Sequence, residues 1–483
     1  MKQDEIGKKL SKLIKCAVLW NNDIRNFYSV DASSYRLKPS VIAFPENKAE
    51  VIKIIKFASR YRIPVTPRGA GTGLVGSALG RGVVLDMRYF DKIKTGTNYV
   101  KVESGVSKGH LDEVLKKHGR FLGPDPSIGP FCTIGGMIAT NASGSHSLKY
   151  GSMVDSLLEI EIVNSSGKLV TLPSFNKISK RISRIIPSNI KEFFPKVSKN
   201  SCGYRLDKIY SEKDLQKIFA GSEGTLGIIL SSKLKTYPLP AKSLLAIVSY
   251  KTLMDAVKDV PTIIRLNPSA IELIDSNITK HMKIKLSSNV GCLLFIEFDT
   301  DIEKNMVVIT STVSGKVVRS ITDKKEIKKF WSFRNSALSY SLRSISKDET
   351  APTLIEDATV PVRRLPLLLR LLDVISKKYD LRLIVYGHAG NGNLHIRPIL
   401  KKKDRRLIQK IALEFFSGVI GIGGCITGEH GDGLARTEFV RMQYGDKIYH
   451  LFDSIKSQFD PKGILNPGKI IVQGSTVTKN LKV

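Results

Sequence analysis

Glycine placement constrains this chain more than any other feature. The run Pro67-Arg68-Gly69-Ala70-Gly71-Thr72-Gly73-Leu74 follows a short apolar stretch, Ile63-Pro64-Val65-Thr66. That order reads as a strand running into a loop whose backbone N–H groups can approach an anion with no Cβ in the way. A pyrophosphate suits such a cradle. The spacing is neither the G-x-G-x-x-G of a dinucleotide-binding turn nor the G-K-[ST] ending of a P-loop, and alone it is compatible with a plain tight turn. Two further segments add weight. One is Gly123-Pro124-Asp125-Pro126-Ser127, continuing through Thr133-Ile134-Gly135-Gly136, Thr140-Asn141-Ala142-Ser143-Gly144 and Tyr150-Gly151. The other is Gly221-Ser222-Glu223-Gly224-Thr225-Leu226-Gly227-Ile228-Ile229. Small residues fill all three, as a long flat cofactor packed against backbone requires.

The chain has 483 residues, enough for two or three domains. Its 42% hydrophobic and 25% charged content is that of an ordinary globular protein. No apolar run approaches the ~18 residues of a membrane span. The N-terminus carries Asp4 and Glu5 and lacks an apolar signal core, so a cytoplasmic protein is expected. Cys16, Cys132, Cys202, Cys292 and Cys425 are scattered with no C-x-x-C, which argues against a disulfide framework or an in-chain iron–sulfur cluster. The net charge of +32 is spread mostly as lysine. The densest clusters, Lys177 to Arg184 and Lys401 to Arg406, lack aromatic interleaving, so nucleic acid is not expected. A solvated surface is the first reading; peripheral contact with the inner membrane face or a negatively charged redox partner is the second.

Along the chain, Leu10, Leu13, Ile14, Ala17 and Val18 predict a helical lead over residues 1–36. Strands are expected at Val41 to Phe44, Ile63 to Thr66, Val83 to Met87 and Val100 to Glu103. Helices are expected after Pro45 and from Ser107 to His118. Leu157 to Val163 and Lys168 to Leu172 read as a hairpin. This alternation indicates an α+β or α/β cofactor domain over residues 37–240. Residues 173–200, with Pro173, Pro187 and Pro195, look like an insertion or flexible excursion. A second domain, 241–440, opens with a strand at Leu244 to Tyr250 and a helix from Met254. Gly291 to Asp299 has the alternation of a half-buried strand. Residues 441–483 close the chain.

The second domain carries Tyr386-Gly387-His388-Ala389-Gly390-Asn391-Gly392-Asn393-Leu394-His395, led by the apolar Leu383 to Val385. The glycines suit a sharp reversal that returns His395 near His388. Downstream lies Thr427-Gly428-Glu429-His430-Gly431. Two imidazoles and a carboxylate form the ligand set of a divalent site with an open position, which leaves His430 free as a base. Histidines in a strand–turn unit are equally at home as packed, hydrogen-bonding residues.

Together the three glycine segments, from about Pro39 to about Pro238, resemble the FAD domain of the vanillyl-alcohol oxidase / p-cresol methylhydroxylase superfamily. The two histidine segments resemble the C-terminal domain of FAD-linked oxidases, a group that includes D-lactate dehydrogenase, the FAD subunit of glycolate oxidase and D-2-hydroxyglutarate dehydrogenase. The resemblance runs through Leu465-Asn466-Pro467-Gly468-Lys469. It implies an α+β fold: a two-subdomain FAD-binding domain, an α+β cap domain for substrate, and a C-terminal segment returning to the FAD domain. It implies FAD contacts at Pro67 to Leu74, at Pro124 and Asp125, at Thr133 to Gly136, and at Thr140, Asn141, Ser143, Gly144, Tyr150 and Gly151. Further contacts are implied at Glu223, Gly224, Gly227, Ile229 and Asn466. The Glu223 side chain is expected to cap the next element while its neighbours' backbone meets the cofactor. Thr72 stands where flavin-linked relatives carry histidine and Cys132 is out of register, so the FAD is expected to be non-covalent.

By the same match His388, His395 and Glu429 hold a divalent metal (Zn, Mn or Fe), and His430 is the base. Trp331-Ser332-Phe333-Arg334 resembles the family's W-x-x-R, whose arginine clamps the substrate carboxylate. The implied activity is oxidation of a D-2-hydroxy acid, hydride passing to flavin N5. Electrons then leave to a separate iron–sulfur protein, quinone or dioxygen. Three departures qualify the match. Asn391 replaces the usual aspartate. Arg397 stands where hydroxyglutarate enzymes carry asparagine, and Ile355 where they carry lysine. The last favours a monocarboxylate such as lactate or glycolate. A non-catalytic FAD-binding subunit, a hydroxyglutarate dehydrogenase and an alkylglycerone-phosphate synthase are the competing readings.

Overall fold

The computed structural model describes all residues except 175–176, 281–288, 344, 402–404, 473, 475–477 and 483. The basic cluster Lys401 to Arg406 therefore falls partly outside the described residues.

The first glycine loop grows from a small sheet with strand order Val18–Leu19, Val41–Ala43, Val83–Asp86, Val65–Arg68. The last three strands run parallel and are almost wholly buried. The strand expected at Ile63 begins two residues later and delivers its C-terminal end directly into the glycines. Helix Lys48–Tyr61, capped by Asn47, covers this sheet with Val51, Ile54, Ile55 and Ala58. The helical lead is shorter than its apolar spacing predicts. It ends at Leu13, and Val18–Leu19 pairs as a strand with Ile42 and Ala43. The reason is a competing partner: the N–H groups of Lys15 and Cys16 donate to Glu50 Oε1 at 3.2 and 2.9 Å, which holds the chain extended.

A second, antiparallel sheet has the order Ile93–Thr95, Tyr99–Glu103, Ile228–Lys235, Leu157–Val163, Leu169–Leu172. The hairpin read from the sequence forms two of its strands. Helix Lys108–Lys117 is capped by Ser107, and helix Ile134–Thr140, capped by Thr133, packs on strands Tyr99–Glu103 and Ile228–Lys235.

A third, antiparallel sheet runs Lys316–Ile321, Leu244–Tyr250, Cys292–Phe298, Ala270–Asp275, Arg382–His388, Asn393–Lys401, Glu349–Thr350, with Ala358–Thr359 pairing beside Asn393. Cys292–Phe298 is buried along its whole length rather than half-buried. Its alternate side chains feed two cores: Leu294 and Ile296 join one, Leu293 and Phe295 the other. Phe295 meets Phe330 and Trp331 of helix Lys324–Asn335. The fold is thus α+β, and the return of the C-terminal segment is visible in hydrogen bonds. Val65 N–H donates to Ile464 O and Asn466 N–H to Val65 O, both at 2.8 Å.

Residues 173–200 are not an excursion. They include helix Lys177–Ile185, and Lys199 and Asn200 are buried in the interior. Side chains such as Ile182 supply the anchoring that the local composition hides.

Candidate active site

The three glycine segments enclose one cavity of about 430 Å³. Pro67, Arg68, Gly69, Ala70, Gly71, Thr72, Gly73 and Leu74 form one wall, and Thr133, Gly135, Gly136, Thr140 and Ser143 another. Glu223, Gly224, Gly227 and Ile229 form a third, and Glu429 and His430 close one end beside Asn335 and Ser339. A larger depression of about 930 Å³, bounded by residues such as Lys410, Leu413 and His450, shares none of these residues. The N–H groups of residues 70–74 have no hydrogen-bond partner among the described residues, so the loop offers donors to an anion. At Gly73 and Gly136 an added Cβ would find protein atoms no nearer than 3.6 and 3.2 Å, each on one neighbouring hydroxyl. Glycine there keeps the wall low on the cavity side. These features fit a dinucleotide-sized cofactor.

Other expected contacts lie off the cavity wall. Ile134 is fully buried core. Asn141 donates to Asn200 O at 3.0 Å and accepts from Val154 N–H at 2.9 Å. Asp125 binds His146 through its backbone N–H at 3.0 Å and its Nδ1 at 2.6 Å. The Tyr150 hydroxyl and Lys149 both bond Asp299, which joins this segment, with neighbouring Pro124 and Gly151, to the third sheet. Gly144 O accepts from Lys199 Nζ at 3.0 Å. Asn466 shapes the cavity from behind: its amide donates to Ser77 O at 2.8 Å and Glu223 O at 2.6 Å. The Glu223 carboxylate does cap, but not the next element. It accepts from Asp432 N–H at 2.5 Å and Gly433 N–H at 2.9 Å, opening the short helix Gly433–Arg436.

The histidine cluster stands at the end of this cavity. The reversal at Ala389–Asn391 folds Arg382–His388 onto Asn393–Lys401, with Tyr386 opposite His395. His388 and His395 thereby share a face. His388 Nε2 lies 2.9 Å from Glu429 Oε1, His395 Nε2 lies 3.3 Å from the same oxygen, and the two nitrogens are 3.4 Å apart. Three donor atoms converging at this spacing fit one divalent cation. Asp357 comes within 4.8 Å of His395, Glu429 and His430. Its Oδ2, however, accepts the N–H groups of Gly428, Glu429 and His430 at 3.1, 2.9 and 2.9 Å, so it holds the loop rather than an ion.

Each imidazole has a carboxylate or carbonyl behind it. His388 Nδ1 lies 2.7 Å from Glu272 Oε1, and His395 Nδ1 lies 3.3 Å from Glu356 O. His430 Nδ1 lies 2.7 Å from Glu356 Oε1, while its Nε2 lies 3.6 Å from Glu429 Oε1. Burial raises the pKa of Glu272, but Arg334 and His388 outweigh it and bring it down to about 2. For Glu429, burial is likewise overcome by His388 and Lys199, and the pKa falls well below the usual range. Burial lowers His395. Burial also pulls His430 down, yet Glu356 and Asp357 carry it up to about 9.

Arg334 is 3% exposed and absent from the cavity wall. Its Nε donates to Glu272 Oε2 at 2.7 Å, and a second nitrogen bonds the same oxygen. The expected carboxylate clamp is therefore engaged by a protein carboxylate. Asn391 does not face the donor set; it donates to Ser198 Oγ at 3.0 Å and accepts from Ser147 Oγ at 3.2 Å. Arg397 pairs with Glu356 Oε2 at 3.3 Å, and Arg436 with Glu356 Oε1 at 2.7 Å. Lys199, Glu272 and Arg436 were not singled out from the sequence. The available signal was Glu272 itself: a carboxylate in the middle of the apolar run Ala270 to Ile274 demands a partner.

Comparison with known proteins gives the family. Residues 39–173 match the family model described as FAD binding domain, and residues 239–470 that of FAD linked oxidases, C-terminal domain. The chain is 31% identical to glycolate oxidase subunit GlcD of Bacillus subtilis over 94% of this chain and 93% of that protein. It is 29% identical to D-lactate dehydrogenase of Anaerostipes hadrus, over 96% and 97%. It is 28% identical to D-2-hydroxyglutarate dehydrogenase of Haemophilus influenzae over 92% of this chain, but spans only 49% of that protein. Among solved structures, alkyldihydroxyacetonephosphate synthase superposes with a TM-score of 0.68 at 20% identity, over 96% of this chain and 85% of that one, which shows a shared fold.

Proposed function

The chain belongs to the FAD-linked oxidases, a family of flavoprotein oxidoreductases, and from that premise we propose that it oxidises a small D-2-hydroxy monocarboxylate, of the lactate or glycolate kind, to the 2-oxo acid. The observation that carries this reading is the convergence of His388, His395 and Glu429 at the end of the glycine-lined cavity, with His430 beside them. When bound, FAD accepts the electron pair and a divalent ion polarises the substrate oxygen. The loop at residues 69–73 and the segment at Thr133 to Ser143 would hold the FAD without a covalent bond.

His430 Nε2 is the atom assigned to take the hydroxyl proton. Glu356 holds its Nδ1 and so fixes the ring. The pKa of about 9 belongs to the cluster with no cation; positive charge placed at Glu429 opposes it and favours the neutral base. The pairing of the buried charges supports a monocarboxylate. Around the three histidines, Glu272, Glu356, Asp357 and Glu429 face Lys199, Arg334, Arg397 and Arg436, all buried. A divalent cation would add positive charge that favours binding a carboxylate and forming the oxyanion as His430 takes its proton. A second carboxylate would find each of these side-chain cations already paired with a protein carboxylate, and Ile355 is apolar and buried. Arg334 fits a supporting role better than a clamp, since it fixes Glu272 and through it His388.

A separate electron acceptor is part of this reading. The five cysteines are all buried and unpaired, and a close relative is named as an oxidase subunit. An iron–sulfur protein, a quinone or dioxygen would each serve. Among the described residues no helix is long and apolar enough to cross a membrane, so any membrane contact would be peripheral through the lysine-rich surface. The intact four-residue set argues against a non-catalytic subunit. The test is anaerobic bleaching of the flavin band near ~450 nm against D- and L-2-hydroxy acids. D-lactate or glycolate should bleach it fastest; bleaching by none of the panel would sink the proposal.

A further inference from the structure

The Glu429 carboxylate is divided between two tasks. Its Oε1 faces His388, His395 and His430. Its Oε2 points the other way and accepts Ser143 Oγ–H at 2.6 Å and Lys199 Nζ–H at 2.8 Å. Lys199 also donates to Gly144 O at 3.0 Å, and its side chain is 1% exposed. The backbone that carries it is pinned on both sides. Ser198 Oγ donates to Asn391 O at 2.9 Å, and Ser201 N–H donates to Thr427 O at 2.9 Å. A buried ammonium is costly unless paired, and holding it here costs more than leaving Ser143 alone as the anchor.

Building on the metal reading above, we propose that Lys199 is a positioning residue that keeps Glu429 a one-oxygen ligand and so leaves a coordination position open for substrate. A carboxylate with a free second oxygen can turn both oxygens onto a divalent ion. Two charge-assisted donors on Oε2 prevent that turn. Lys199 touches neither cofactor cavity nor substrate end directly, so its action passes through Glu429. Ser143, which lines the cavity, is the weaker second anchor.

The test uses FAD-loaded protein stripped of metal and reloaded with Mn²⁺. Water-proton relaxation reads exchangeable water on the ion, and titration with oxalate reads the open position. In the unaltered protein, oxalate should bind and displace that water. Lys199→Met should bind Mn²⁺ with less exchangeable water and bind oxalate about tenfold or more weakly. Lys199→Arg should restore both. Ser143→Ala should shift both readings the same way by a smaller amount, and if Lys199→Met fails to retain FAD, Lys199→Gln, which removes the charge but keeps a polar side chain, decides the matter. Unchanged relaxation and oxalate affinity in Lys199→Met, or in Lys199→Gln where that variant decides, overturns the role of Lys199 while leaving the metal reading in place. Failure of the unaltered protein to bind Mn²⁺ overturns the metal reading itself.

Discussion

The cofactor cavity and the histidine cluster share a wall but are built by opposite means. The cavity is made mostly of backbone: glycines and small side chains from three segments, with the N–H groups of residues 70–74 left without partners among the described residues. The cluster is made of side chains from at least six separate segments, and nearly every polar atom in it is held by another. A backbone cradle tolerates changes in neighbouring side chains but not an added Cβ at the wrong place. A side-chain cluster tolerates no unpaired charge. Mutations should therefore separate the two regions by what they release.

The largest effect is expected where the cradle is filled. Gly71 has a φ of +69°, and a Cβ there would lie 2.5 Å from Arg68 Nη2. Gly71→Glu adds backbone strain and a negative charge beside the free N–H groups. FAD affinity should fall by about 100-fold or more, read as yellow colour lost on purification. Metal content, measured by elemental analysis, should change little. Loss of both together would mean that the two regions are not separable.

Next is the base. His430→Asn should keep FAD and metal but slow single-turnover flavin reduction by about 10²-fold or more, the scale of acid–base catalysis. An unchanged reduction rate would remove His430 from the chemistry and leave the cluster a structural device.

Arg334→Lys sharpens the comparison further. A lysine keeps the charge beside Glu272 but loses the two-pronged contact. If Arg334 acts through Glu272 and His388, metal affinity should fall by about tenfold while oxalate binding to the metal-loaded protein stays the same. The reverse pattern, unchanged metal and weakened oxalate, would restore the direct clamp expected from the W-x-x-R spacing.

The same contrast explains what could be read from the chain before its fold. Glycines and their spacing report backbone needs locally, so the Pro67–Leu74 loop and the Gly224–Ile229 wall were legible. His388 and His395 were legible because one tight turn brings them together. Lys199 was not, because its function depends on a carboxylate 230 positions away and its surroundings look like a polar insertion. Asp125 and Tyr150 were placed at the cofactor on motif alone. The structure gives their side chains tertiary partners, His146 for one and Asp299 for the other. The Lys15–Cys16 break in the helical lead failed for the same reason, since Glu50 competes for the N–H groups from outside the helix.

The smallest expected effect concerns the contact between those two regions. His146 lies with Nδ1 2.6 Å from Asp125 Oδ2 and Nε2 3.4 Å from Glu297 Oε1, and its ring packs at 4.9 Å on Trp331. Burial pulls its pKa down, but Asp125 and Glu297 more than overcome this and raise it well above the usual histidine value. The folded state therefore binds this proton more tightly than the unfolded chain. Its stabilisation is complete below the unfolded value of about 6.5 and is lost as pH rises through the raised folded value. Thermal midpoints measured from pH 6 upward should decline in the unaltered protein, and His146→Gln should flatten part of that decline while starting from a lower midpoint at pH 6. Trp331 fluorescence should report the same transition locally, because its indole N–H also bonds Glu297. Identical pH profiles for the two proteins would show that the Asp125–His146–Glu297 contact contributes no pH-dependent stability. The cavity and the third sheet would then be held together by packing and by other bonds, such as those of Lys149 and Tyr150 to Asp299.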